Sequence, residues 1–428
     1  MSAPLSNPLL ELHKLGVSVW LDDIGRGMLD DGSLARLVRE DGVAGLTSNP
    51  AIFAHSIMND TTYTQRIARL LSTASSASGL YEDLALADLQ DAAALLRPLY
   101  DSTRGGDGFI SMEVSPHLAD DSAGSFKEAQ RLWQRLSIPN AFIKIPGTEA
   151  GLPVIRDLIA AGINVNVTLL FSPDRYRAVA RAYRDGLSRR AAEGKPLATV
   201  ASVASFFLSR IDSAVDKLLD GLAARGQPAA RALRGKAAIA SACRAYEIFE
   251  ETIAEPAWQG LADRGARPQR LLWASTSTKD PAYSPIKYVE ELVVPGTVNT
   301  MPLETINAYR RLGRPELTLE RHLAEASDVR EGLERLDVDL EAVSQQLERE
   351  GVTKFIEPFD KLQKWLEDRR RGQRRSCAHS FRGGLTWTSK PYGSDCSNAG
   401  TSCASAPARR VRICVTRPIR CPPTLPSR

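Results

Sequence analysis

Residues 141–171 read AFIKIPGTEAGLPVIRDLIAAGINVNVTLLF, and this stretch decides the fold class. AFIKIP is a short apolar run with β-branched residues, too brief for a helix and stopped by Pro146 and Gly147, which predicts a buried parallel strand. Thr148 and Glu149 offer a cap and an acidic first turn. In GLPVIRDLIAAG, residues 151–162, Leu152, Ile155, Leu158 and Ile159 then fall on one helical face, and Gly162 marks the stop. INVNVTLLF, residues 163–171, predicts a second strand. Its period of two sets Asn164, Asn166 and Thr168 on one face and Ile163, Val165, Val167 and Leu169 on the other. The whole is one β-α-β unit, and its first strand carries a lysine, Lys144.

A lysine inside an apolar strand needs a physical reason. Burying an unpartnered ammonium costs several kcal/mol, roughly, and a lowered pKa that leaves the amine partly neutral relieves the cost. A neutral amine attacks carbonyl carbon, the first step of Schiff-base chemistry. The plain alternative is a strand-end lysine whose stem packs while its head reaches water. The neighbouring strand favours the chemical reading, because its Asn and Thr would line the same interior.

The remaining chain repeats the strand-helix alternation. Strands are expected at VSVW (17–20, running into Leu21, Asp22 and Asp23), from Val43 in VAGLTSNPAIF, at GFISMEV (108–114), in ATVASVASFF from Ala198 to near Ser205, at RLLWAST (270–276) and at GTVNTMP (296–302). Helices are expected over 80–100, 125–136, 173–194 and 229–253, with two or three more over 316–370. Eight strands separated by helices predict an α/β fold, a (β/α)8 TIM barrel with extra helices. In such a barrel Asp22, Asn49, Glu113, Lys144, Asn166, Thr168 and Ser205 would face one mouth. A doubly wound open sheet is the competing topology, yet the chain has no GxGxxG and no GK[ST] phosphate loop. Ser205 and Arg210, near a helix N-terminus, suit an anion such as phosphate, and equally an ordinary cap and a surface charge.

The net charge of +4 conceals two compositions. Residues 1–372 hold 45 basic and 50 acidic side chains, a mildly acidic body with no signature of nucleic-acid or membrane binding. Residues 373–428 hold ten Lys or Arg against the single acid Asp395. The body has one cysteine, Cys243, and the tail five: Cys377, Cys396, Cys403, Cys414 and Cys421. One thiol excludes a disulfide framework in the body and suits a reducing cytoplasm. The N-terminus has no basic segment followed by an apolar one, and no apolar run reaches membrane-spanning length, so a cytoplasmic protein is expected. The tail is rich in Ser, Pro, Arg and Cys, lacks Glu and has no hydrophobic period, which predicts a disordered segment.

Three motifs, in this order and spacing, resemble transaldolase: GLTSNPAIF (45–53), FIKIPGTEAGLPVI (142–155) and NVNVTLLFS (164–172). The resemblance covers nearly all of residues 10–370, and the length and helical C-terminal region look most like the longer bacterial subgroup. It implies a class I aldolase-type transferase that needs no cofactor. In it Lys144 would form the Schiff base, Asp22 would take the proton from the hydroxyl beside the breaking carbon–carbon bond, and Glu113 with Thr168 would hold a catalytic water. Asp23 is the neighbour onto which the first acid's match would fall if it slipped by one. It also implies that Asn49, Asn166 and Ser205 hold the dihydroxyacetone unit, and that Arg210, Lys279 and Ser275 meet the phosphate. Lys279 stands where better-known members carry Arg, a point charge instead of a bidentate fork.

The implied partners are sugar phosphates: sedoheptulose 7-phosphate or fructose 6-phosphate as donor, glyceraldehyde 3-phosphate or erythrose 4-phosphate as acceptor, within the pentose phosphate pathway. No metal is implied, and the five histidines show no paired ligand spacing. Two other readings stand beside this one: a fructose 6-phosphate aldolase-like enzyme using the same lysine, and an inactive barrel that serves as a binding protein.

Overall fold

The computed structural model describes residues 7–72 and 74–382, with side chains up to residue 372. Eight strands, all parallel, follow the expected stretches: β1 Ser18–Leu21, β2 Gly45–Leu46, β3 Ile110–Glu113, β4 Ala141–Pro146, β5 Val165–Leu170, β6 Ser202–Phe207, β7 Arg270–Ala274 and β8 Val298–Met301. Their order in the sheet is β2-β1-β8-β7-β6-β5-β4-β3, and one parallel bridge, Gly45 to Phe109, brings β2 against β3. The sheet is a nearly closed barrel with helices outside it, the arrangement that sends every strand's C-terminal end to the same face.

Local chemistry sets the helix boundaries. Asn49 accepts the Ala51 and Ile52 N–H groups at the head of helix Pro50–Asn59, and Ser172 accepts the Arg175 N–H at the head of Pro173–Ala192; both helices begin on proline. Inside the barrel, Trp20 of β1 meets Phe142 of β4 with ring centroids 6.1 Å apart, and Phe109 stacks on Phe142 at 4.3 Å. Since β1 and β4 are not neighbours, this contact crosses the interior and forms an aromatic floor, with all three rings buried.

Two expectations change. The helix expected over 229–253 is two pieces, a 3-10 turn Pro228–Leu233 and helix Ala237–Ala254. Gly235 breaks it in the left-handed region at φ +68, where its N–H donates to buried Asp216 and its carbonyl accepts from Lys287. Strand β5 does not keep a period of two to its end. Its register shifts between Val167 and Leu170, and Leu169 takes φ +60, so Leu169 turns to the barrel mouth instead of the outer face. The final described helix, Leu340–Arg382, runs as backbone into the first residues of the tail, 373–382. The rest of that tail, 383–428, lies outside the described residues.

This helix lies along the mouth. Ser344 Oγ donates to the Phe171 carbonyl (3.2 Å), Val352 and Phe355 cover the interior, and Phe359 packs edge-on against Tyr81 with centroids 5.7 Å apart. Gly351 lies close against the end of β5. A Cβ there would stand 2.9 Å from Leu169 Cδ2.

Candidate active site

Register builds the site. Glu113 pairs with Lys144 across β3 and β4, and Lys144 with Asn166 across β4 and β5, so three polar side chains share one inner row about 4.8 Å apart from strand to strand. Lys144 is 4% exposed, and its Nζ lies 2.6 Å from Glu113 Oε1 and donates to the Ser48 carbonyl at 2.9 Å. The lysine is therefore buried but not partnerless, in contrast to the unpartnered ammonium that its apolar strand suggests. Burial pushes the Glu113 carboxyl above the usual range; Lys144 pulls it down, and Asp22 adds to the rise. A carboxyl in contact with the amine can take up an ammonium proton, and a deprotonated lysine is a nucleophile.

Asp22 follows the end of β1. Its N–H donates to the Met301 carbonyl, and its Oδ1 accepts from Thr47 Oγ1 at 2.6 Å; that hydroxyl in turn lies 2.9 Å from Thr300 Oγ1 on β8. Asp22 is thus fixed by the strands on both sides of its own. Asp23, next in sequence, is held above the ordinary carboxylate range, first by burial and then by the charge of Asp22.

Asn166 and Ser205 form one unit: Ser205 Oγ donates to Asn166 Oδ1 at 2.7 Å, and Asn166 Nδ2 donates to Ser111 Oγ at 3.1 Å. Asn49 has a structural duty, since its side-chain oxygen caps helix Pro50–Asn59. Thr168 Oγ1 is buried without a partner among the described residues, and Thr168 lines a small cavity together with Glu113, Lys144, Leu169, Val352 and Phe355. A buried hydroxyl left open beside an amine and a carboxyl is a place for a ligand or a water.

The anion-binding candidates separate. Arg210, at the head of helix Ser209–Ala224, lies over the Phe207 ring at 5.4 Å, and its Nη1 is buried with no acceptor among the described residues. Burial pulls its guanidinium down, with Asp22 and Glu350 opposing. Ser275 joins it through Ser209, Oγ to Oγ at 2.9 Å, and holds a left-handed backbone at φ +55. Lys279 is exposed and donates to Ser277 Oγ. Broader clefts exist, one lined by Arg234, Lys287, Glu290 and His322 and another by Asp174, Arg244 and Arg330, but neither includes these residues. Convergent polar groups locate the site better than size does.

Sequence reading missed several participants. Thr47 and Ser48 sit inside the GLTSNPAIF motif, and Ser111 lies two residues before Glu113 on the same face of β3, so the period of two pointed to it. Thr300 had only a weak strand around it. Nothing local marked Gly351, Val352 or Phe355, because their role depends on where a distant helix crosses the mouth.

The family described as Transaldolase/Fructose-6-phosphate aldolase matches residues 19–366. The chain belongs to this family. It is 44% identical over 369 residues to a protein named Transaldolase 2 from Nostoc sp., an alignment covering 84% of this chain and 97% of the relative. Proteins named Transaldolase from Parafrankia sp. (46% over 359 residues, 84% of this chain and 96% of the relative) and Thiobacillus denitrificans (45% over 352 residues, 82% and 97%) are similar over the same extent. The transaldolase family match takes in all eight strands except the first residue of β1, and every candidate residue from Asp22 to Lys279. No helix among the described residues is long and apolar enough to cross a membrane.

Proposed function

We propose that this chain is a transaldolase that carries a dihydroxyacetone unit from a ketose phosphate to an aldose phosphate through a Schiff base on Lys144. The observation that carries the reading is the Lys144–Glu113 contact at 2.6 Å, inside a barrel mouth that also holds Asp22. The amine adds to the ketose carbonyl. Glu113, with the Thr168 hydroxyl, moves the protons needed to form the carbinolamine and to expel its oxygen as water. The iminium is an electron sink: Asp22 takes the proton from the hydroxyl on the fourth carbon, the bond between the third and fourth carbons breaks, and its electrons enter the enamine. Asn166, Ser205 and Asn49 bind the hydroxyls of the retained three-carbon unit. Arg210, with Ser275 and Lys279, takes the phosphate.

The family also includes aldolases that release the three-carbon unit to water. Val352 and Phe355 close over Lys144, and an apolar cover that keeps water from the enamine favours transfer to a second sugar. An inactive barrel is disfavoured by the convergence of a buried amine with two carboxylates. A cytoplasmic place, among soluble sugar phosphates, goes with this reading.

The test is borohydride reduction in the presence of fructose 6-phosphate, with peptide mass mapping. The expected adduct is on Lys144, and acceptor-dependent sedoheptulose 7-phosphate formation should outrun dihydroxyacetone release. An unmodified Lys144 under conditions that label a known transaldolase would overturn the proposal.

A further inference from the structure

Arg210 is one guanidinium, and Lys279, the other cation implied for the phosphate, is exposed and turned to Ser277. Another guanidinium, that of Arg175, also meets the covering helix. It stands in the first turn of helix Pro173–Ala192, directly after the strand that carries Asn166 and Thr168, and its N–H donates to Ser172 Oγ at 3.1 Å. Its Nε faces Glu348 Oε2 at 3.4 Å, with both side chains about four-fifths covered.

Glu348 lies on the final described helix four residues before Val352, and residues four apart share a helical face. Val352 lines the cavity at Lys144, so Glu348 and Arg175 meet on the face turned to the mouth. Three residues after Glu348, a Cβ built on Gly351 would lie 3.8 Å from Arg210 Nη1. Glu348 and Gly351 lie within one turn of each other, so the two arginines meet the same helix within one turn of its length.

The Arg175–Glu348 contact is loose. Charge-assisted N–H to O contacts close to about 2.7–2.9 Å, whereas this one stays at 3.4 Å. Burial pushes the Glu348 carboxyl above the usual range against the pull of Arg175, and Glu341 and Asp120 add to the rise. A phosphate brings more charge and three acceptor oxygens to the same guanidinium.

We propose that Arg175 is a second guanidinium for the substrate phosphate, held by Glu348 until the anion displaces the carboxylate. Arg175 then sets the preference for phosphorylated over unphosphorylated sugars. The inference rests on the transaldolase reading above. Its rival is a fastening role, in which Arg175 only ties the covering helix to the barrel.

The experiment measures kcat/KM for fructose 6-phosphate and for fructose in the wild-type chain and in Arg175→Gln. The ratio of the two should fall tenfold or more, mostly through KM for the phosphorylated donor. Fastening alone lowers both values together, and an unmoved ratio overturns the proposal. Glu348→Gln supplies a second readout if Arg175→Gln does not fold: inorganic phosphate should inhibit it at a several-fold lower concentration than wild type, and unchanged or weaker inhibition counts against the proposal. Absence of transfer in the wild-type chain would sink the activity reading instead, so the two failures are distinguishable.

Discussion

Lys144 Nζ and Glu113 Oε1 are 2.6 Å apart on adjacent strands whose residues are in direct register. Glu113→Gln keeps the shape and removes the exchangeable proton. Loss of general acid–base work should lower kcat by about 10²- to 10⁴-fold and slow borohydride trapping on Lys144. The pH dependence has a definite sign. Burial holds the Glu113 proton above the usual glutamate range, so a step that uses this group as acid slows as pH climbs through the raised value. The alkaline limb of kcat against pH should flatten in the Gln variant. Stability follows the same sign: the folded state binds this proton more tightly than the unfolded chain, so the contribution is complete below the ordinary glutamate pKa and fades as pH rises through the folded one.

Asp22 acts after the Schiff base has formed. Asp22→Ala should therefore still give a Lys144 adduct with fructose 6-phosphate and borohydride, while transfer to erythrose 4-phosphate drops by about 10²-fold or more. Thr47→Val, which removes the hydroxyl that Asp22 accepts from at 2.6 Å, should cost less, on the order of tenfold. Loss of the adduct in Asp22→Ala would mean that this acid works earlier than proposed.

Away from the mouth, Lys287 donates to Asp212 Oδ2 at 2.8 Å, Tyr288 donates to the same oxygen at 2.8 Å, and both charges are nearly covered. Lys287→Met strands a buried carboxylate and should cost about 3–5 kcal/mol in denaturant unfolding. Adding Asp212→Leu should recover part of that loss. An additive double variant would show that the pair is not coupled.

A chain ending after Arg371 keeps Leu347, Phe355, Leu362 and Leu366, all buried on the covering helix, and should retain full activity and an unchanged unfolding midpoint. Ending after Asp339 removes that helix and bares its bed at Leu169 and Phe171; low solubility and loss of transfer are expected. A folded but inactive chain ending at Arg371 would show that residues beyond it take part in catalysis.

Much of the barrel was legible because parallel strands buried on both faces leave short, mostly apolar runs between helical periods. Lys144 stood out as a charge inside such a run. Glu113, Asn166 and Thr168 were placed by the period of two, and by the rule that strand ends converge. The local pattern failed where tertiary contact overrode it. Leu169 obeys the alternation in sequence but is turned by a bulge, and Gly235 breaks an apparently continuous helix because Asp216 and Lys287 claim its backbone. The Arg175–Glu348 contact joins residues 173 positions apart, and no local signal reports such a pairing.

The ring cluster of Trp20, Phe109 and Phe142 has a kinetic corollary. With that end of the cylinder plugged, both sugars must use the same doorway, and the shortened aldose has to depart before its replacement can be admitted. Double-displacement kinetics follow: reciprocal plots at several fixed acceptor concentrations run parallel, and excess acceptor competes with donor for the unloaded lysine.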